Sequence, residues 1–256
     1  MFNRVFFNHT NHAYLNTSEH SRASSATRVC DLSSATLQHT AAFKANPKSF
    51  LEGHTVDARH VIRMGDGLTG DLLNNTIKQG HFALILDAST GNFILKHVNA
   101  ATAADRDKVI HAHWIPFKNG NGTPGYVDIP KDPRYATAQE SAPFAFTPGM
   151  NGCSLEIREH LRDDRYMRVF HNQHPESATT NNLVREISGL KIGSFGPDDY
   201  HDENSIAPVA FNMMYFDRDS TNWKFLGQSL ETNPYDSKQV LSRVNPGSVN
   251  IKDVSD

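Results

Sequence analysis

The chain has 256 residues, with 25 Lys and Arg against 28 Asp and Glu, for a formal net charge of -3. That length allows one large domain or two small ones, and so balanced a charge argues against a nucleic-acid footprint or a polybasic membrane binder. Two cysteines, Cys30 and Cys153, exclude a disulfide scaffold and a four-cysteine zinc site, while fourteen histidines leave room for one reactive thiol served by an imidazole.

The N-terminus carries Arg4 and a short Val5-Phe6-Phe7 patch and then turns polar, which is not the apolar core of a cleavable signal. No apolar run reaches the ~18 residues of a transmembrane helix. Residues 8–50 are rich in Ser, Thr, Asn, His and Ala and read as a loosely ordered arm or as short elements packed on the domain. Leu68, Leu72, Leu73 and Ile77 recur at helical spacing, and Gly80 follows as a stop. Residues 82–86 and a run from Phe93 flank turn-forming residues 87–92, which predicts a hairpin. Residues 108–117 read as a strand ended by the turn at 118–122, and residues 123–142, with three prolines, as a long loop. A short strand at 143–147 enters the turn 148–153, and residues 166–171 alternate as another strand. Leu183, Val184, Ile187 and Leu190 fit a helix that Gly189 can end early. Residues 209–216 and 223–230 form a second hairpin across 217–222, and the polar tail after Asn233 reads as mobile. Strands outnumber helices and the connections are of antiparallel type, so the class is α+β, with a mixed, sandwich-like β-sheet core flanked by helices. The expected division is an N-terminal extension at 1–65, partly ordered and packed on the domain, a main domain at 66–235 and a polar tail at 236–256.

Cys153 closes a turn containing Gly149 and Gly152. Glycines there permit positive φ and close approach of a substrate, and amides in such a turn, at Asn151 and Gly152, can face a developing oxyanion. A thiolate is a nucleophile, and a nearby imidazole lowers its pKa and shuttles its proton. His171 lies eighteen residues on, inside a strand that would return beside Cys153. On residue type alone Cys153 is either this nucleophile or a small core hydrophobe.

The segment Met150-Asn151-Gly152-Cys153, with Thr147 six residues before the cysteine and Val169-Phe170-His171 on a later strand, resembles the catalytic motif of Burkholderia lethal factor-like and cytotoxic necrotizing factor-type glutamine deamidase toxins. Their motif reads Leu-Ser-Gly-Cys. Residues 113–120 resemble their apolar Trp-Leu-Pro-Trp-Lys segment and residues 215–230 their C-terminal hairpin, so the likeness covers roughly residues 80–230. This chain departs from the pattern with Asn151 for Ser, Met150 for Leu, a longer interval filled by the charged stretch 158–165, and an added N-terminal arm. The resemblance implies a β-rich catalytic domain that is a protein glutamine deamidase using no metal or cofactor. Cys153 would attack the carboxamide, His171 would move the proton, Thr147 would orient the imidazole through its backbone carbonyl, and the Cys153 amide with a neighbouring turn amide would hold the oxyanion. It also implies a bacterial toxin or effector exported without a recognisable cleavable signal. Such a chain would act as a monomer in the host cytosol on a host protein, such as a translation-initiation RNA helicase or a Rho-family GTPase. Neither nucleic acid nor membrane is expected as a partner. Transglutamination or peptide cleavage on the same pair, and a non-catalytic binding module in which Cys153 is structural, are the alternatives.

Other groupings carry less. His111 and His113 share a strand face but have no third ligand placed by the sequence. His171 and His174 are a weaker pair, with His174 read as a rim residue. Cys30 is expected to be a free thiol. The acidic run 198–203 reads as a solvated loop or as a rim selecting a basic surface, and Gly65-Asp66-Gly67 lacks the ending of a phosphate loop.

Overall fold

The computed structural model describes residues 26–59, 61, 78–120, 122–138, 140–203, 205, 207–232 and 240–255. The helix expected around Leu68 to Ile77 lies outside them. Helix α1 (Ser34–Ala45) begins where the Ser33 side chain accepts the Thr36 amide, and α2 (Pro47–Gly53) where Asn46 accepts the Ser49 amide, with proline in the first turn. Residues 34–53 are therefore two ordered helices, the second of the two alternatives for that segment, short elements packed on the domain. Their weak apolar pattern has a physical reason, since α1 buries Thr36 and Thr40 beside Phe43, and the Thr40 hydroxyl accepts the Leu84 amide at 3.1 Å.

Among the described residues, nine strands form one sheet: β1 (Val56–Asp57), β2 (Gln79–Leu86), β3 (Phe93–Val98), β4 (Ile110–Trp114), β6 (Phe144–Phe146), β10 (Pro208–Asp217), β11 (Asn222–Thr232), β12 (Leu241–Arg243) and β13 (Asn250–Asp253). The order is β1-β3-β2-β4-β6-β10-β11-β12, with β13 also on β11. A second sheet has the order β5-β8-β7-β9, from β5 (Gly125–Pro130), β8 (Tyr166–Asn172), β7 (Ser154–Glu159) and β9 (Lys191–Phe195). Shorter helices α3 (Ala103–Lys108), α4 (Ala178–Glu186) and α5 (Pro197–Tyr200) complete the elements used below.

The period of two along each strand builds the layers. Phe144, Phe146, Phe211 and Met213 point from the large sheet toward α1 and α2, where they meet Phe43, Phe50 and Leu51. Ala145, Met214, Phe216 and Phe225 point the other way and meet Val127, Ile129, Leu155, Ile157, Met167 and Val169 of the small sheet. The large sheet is thus covered by helices on one face and by the small sheet on the other. This is the α+β architecture with a sandwich-like core that the strand count predicts.

Four local expectations change. Residues 123–142 are not simply a loop, because they contain β5, whose Pro130 is tolerated at the end of a strand on the sheet edge. The strand expected from Lys108 starts at Ile110, since Thr102 and Asp105 close a capping box that makes 103–108 helical. Within the tail expected to be mobile, β12 and β13 both pair with β11. The helix expected through Leu190 ends at Glu186, and Leu190 is 74% exposed.

Because α1 fills the core and does not merely lie on it, Phe43→Ala is expected to cost about 3–5 kcal/mol. Urea unfolding measures this, and a loss near that of a surface substitution would show the helix to be peripheral.

Candidate active site

Thr147 and His171 meet where the two sheets face one another, and Cys153 stands on the same face of the small sheet. The chain leaves β6 at Phe146, and Thr147 is the next residue. Met150 then forms a two-way backbone bridge with Ala210 of β10, at 2.9 and 2.8 Å. Gly152 turns the chain at φ +78°, with open space where a Cβ would stand. The turn's need for glycine here is therefore conformational, not steric. Asn151 is exposed in the same turn. Cys153 follows immediately before β7, and its side chain is in the cluster between the sheets.

Leu155 pairs with His171 across β7 and β8, so the two share a face. Cys153, two residues before Leu155, stands on that face diagonal to His171. Diagonal neighbours in an antiparallel pair are about 7–8 Å apart, less between their Cβ atoms. The thiol Sγ lies 3.9 Å from the Asn151 carbonyl, and no hydrogen bond joins it to His171.

The imidazole is held firmly. Thr147 Oγ1 lies 2.6 Å from His171 Nδ1 and 3.0 Å from the Ile115 carbonyl, which it can only reach as a donor. A hydroxyl has one hydrogen. Since that hydrogen goes to Ile115, Oγ1 accepts from Nδ1–H, and the ring's other nitrogen, Nε2, carries a lone pair. Nε2 has no hydrogen-bond partner among the described residues. Thr147 therefore meets the imidazole through its hydroxyl and not through the carbonyl that the resemblance implied. Ile115 was not foreseen, because a backbone acceptor leaves no side-chain signal.

Burial alone pushes His171 down to about 3, and burial pushes the Cys153 thiol up to about 11. At neutral pH the resting pair is a neutral thiol and a neutral imidazole, not a thiolate with an imidazolium. Among the described residues no carboxylate acts on His171 to favour the charged form; an aromatic neighbour is Phe117, 5.2 Å away and edge-on. Phe117 is 41% exposed, so its ring borders both the imidazole and solvent.

The remaining candidates do not join this site. His111 and His113 do share a face, where Gln79 bridges them at 3.2 and 3.3 Å. No group of three or more potential metal ligands assembles among the described residues. The His174 amide donates to Asn172 Oδ1, and Cys30 is a free, exposed thiol. In the acidic run, Asp199 accepts the Gly196 amide and pairs with Lys252, so part of that run is structural.

A family model described as the Mcf1 activator-binding domain matches residues 38–248. The crystal structure of the C-terminal domain of CNFy from Yersinia pseudotuberculosis aligns with a TM-score of 0.34 and 12% identity, over 68% of this chain and 71% of that one. No curated protein matches.

Proposed function

The chain belongs to the family described as the Mcf1 activator-binding domain, and from that premise we propose that it engages a protein partner and hydrolyses the side-chain amide of a glutamine on it. One observation carries the chemical half of this reading. The Thr147 hydroxyl, committed to Ile115, leaves His171 Nε2 unprotonated and unpartnered on the face that holds Cys153.

In this reading Nε2 removes the thiol proton as Sγ attacks the carboxamide carbon, so the sulfur becomes strongly nucleophilic only as the proton leaves. Turn amides at Asn151, Gly152 and Cys153 face the developing oxyanion. The imidazolium returns its proton to the amide nitrogen, ammonia leaves, and a thioester remains. Water, deprotonated by Nε2, attacks the thioester carbon and releases a glutamate side chain and the thiol. The net change is one water consumed and one ammonia formed. Thr147 keeps Nδ1–H engaged, so Nε2 is the basic nitrogen in both half-reactions. The partner is proposed to be a host protein and the chain a bacterial toxin or effector acting in the host cytosol as a monomer.

A second reading is a binding module in which Cys153 is structural. It is favoured by the raised thiol pKa and by the absence of an Sγ–imidazole hydrogen bond. One experiment separates the two. A eukaryotic cell extract is incubated with the wild type or with Cys153→Ser, and amide-to-acid mass shifts are mapped. The expected result is conversion at defined glutamines by the wild type alone. Equal conversion by both proteins, or none by either, overturns the deamidase reading. An amine donor added in parallel reports transglutamination by its incorporation.

A further inference from the structure

We propose that Tyr200 is a positioning residue that fixes the nucleophile's backbone, an inference that rests on the Cys153 and His171 reading above. The Tyr200 hydroxyl donates to the Cys153 carbonyl at 2.6 Å, and the residue is fully buried. That carbonyl belongs to the residue just before β7, where the paired strand ends. The other end of the turn is fastened by the Met150–Ala210 bridge. Between these two anchors lie Asn151 and Gly152, and Gly152 already adopts a left-handed φ of +78°. The peptide units expected to face the oxyanion are thus clamped at both ends, and Tyr200 supplies the clamp nearest the sulfur.

Tyr200 is itself held. Its carbonyl accepts the Ser229 hydroxyl from β11, and its ring packs on Phe195 at 5.9 Å. Helix α5 is tied down by the Asp199 carboxylate on the Gly196 amide and by Lys252 on Asp199. Burial raises the phenol, so the hydroxyl remains a donor throughout the working pH range. Without it the Cys153 carbonyl loses its partner, and rotation of that peptide moves both the Cβ–Sγ direction and the turn amides. Active geometries of this kind tolerate little displacement.

The test uses the full chain and a dilution series of eukaryotic cell extract, with initial rates of glutamine-to-glutamate conversion read by mass spectrometry. Tyr200→Phe is expected to lower the plateau rate about tenfold while leaving the half-saturating extract concentration unchanged, as loss of one positioning hydrogen bond should. Phe43→Leu, remote from the site, is expected to lose stability yet keep the wild-type plateau, which separates positioning from general loosening. Should Tyr200→Phe not fold, Ser229→Ala releases the same anchor one step removed and is expected to lower the plateau about threefold by the same argument. A wild-type plateau in the tyrosine variant, or in the serine variant used in its place, with Cys153→Ser inactive, overturns the role of Tyr200 and leaves the deamidase reading standing. Conversion that does not depend on Cys153 removes both.

Discussion

His171→Ala is expected to lower the rate of glutamine conversion by about 10³–10⁴, the upper range for losing a general base. The large figure follows from the resting state. In a preformed thiolate and imidazolium pair the sulfur is already activated, and loss of the imidazole is partly offset by raising the pH. Here the thiol is held up at about 11 by burial, so without a base the thiolate is scarce at any working pH. Cys153→Ser should be more severe, because the hydroxyl is a weaker nucleophile facing the same neutral base. Thr147→Val removes the acceptor for Nδ1–H and lets the ring choose its tautomer and tilt, for an expected loss of about tenfold, the value of one hydrogen bond. Thr147→Ser keeps the hydroxyl and should keep most of the rate. The pH profile is a further mark. With His171 at about 3 and Cys153 at about 11, the neutral pair persists between those limits. The rate of the folded protein should then be flat across pH 6 to 8 instead of falling near the ordinary histidine value. Initial rates in extract measure all of this, and a sigmoid centred near pH 6.5 would show a charged pair instead.

The sequence made part of this site readable and hid the rest for identifiable reasons. The Thr147 and Cys153 spacing is visible because both side chains belong to one short connection between the sheets. The alternation of residues 166–171 gave β8, hence the face that His171 shares with Cys153. Strand β7 went unread, because the charged residues at its outer positions, Glu156, Arg158 and Glu159, disguise it as part of a solvated charged stretch. Those charges are satisfied on the small sheet's outer face, where Arg158 pairs with Glu156 at 2.9 Å and Asn172 reaches Glu156 at 3.3 Å. Strand β5 is masked by Pro130 at its end, which an edge position permits, and by Pro124 just before it. Tyr200 was out of reach because an acidic run with one tyrosine gives no sign that the ring turns inward while Asp199 caps and pairs outside. Ile115 acts through its carbonyl, and backbone acceptors are set by topology, which local pattern does not encode.

Acidification from pH 7.5 to 5.5 is expected to cost this fold about 3–4 kcal/mol, and the reason is the histidines that lie outside the proposed mechanism as much as the one inside it. His81 and His111 stack at 5.0 Å on neighbouring strands, and Gln79 accepts from His111 while donating to His113 Nδ1. Protonating His113 at Nδ1 would break that bond. The charged groups acting on this set are Arg106 and the other histidines, which all disfavour a further positive charge. Burial, the largest cause, puts His81 at about 4 and His113 at about 3, with His171 also at about 3, against an ordinary value of 6.5. The sign follows from proton binding. Below pH 6.5 the unfolded chain takes up protons that the folded chain refuses, so stability is complete above that value and drains away as pH falls toward the folded values. One unit below the unfolded value, each such imidazole costs about 1.3 kcal/mol, and three together remove a sizeable part of the 5–15 kcal/mol typical of a domain. Urea midpoints at the two pH values measure the loss. His81→Gln and His113→Gln each take one proton uptake out of the unfolded-state advantage, so each should make the midpoint less pH-dependent, even where the substitution itself lowers stability at pH 7.5. A midpoint that does not move with pH in the wild type would mean that these imidazoles are protonated as readily in the fold as outside it, which would overturn the burial of these imidazoles around Gln79.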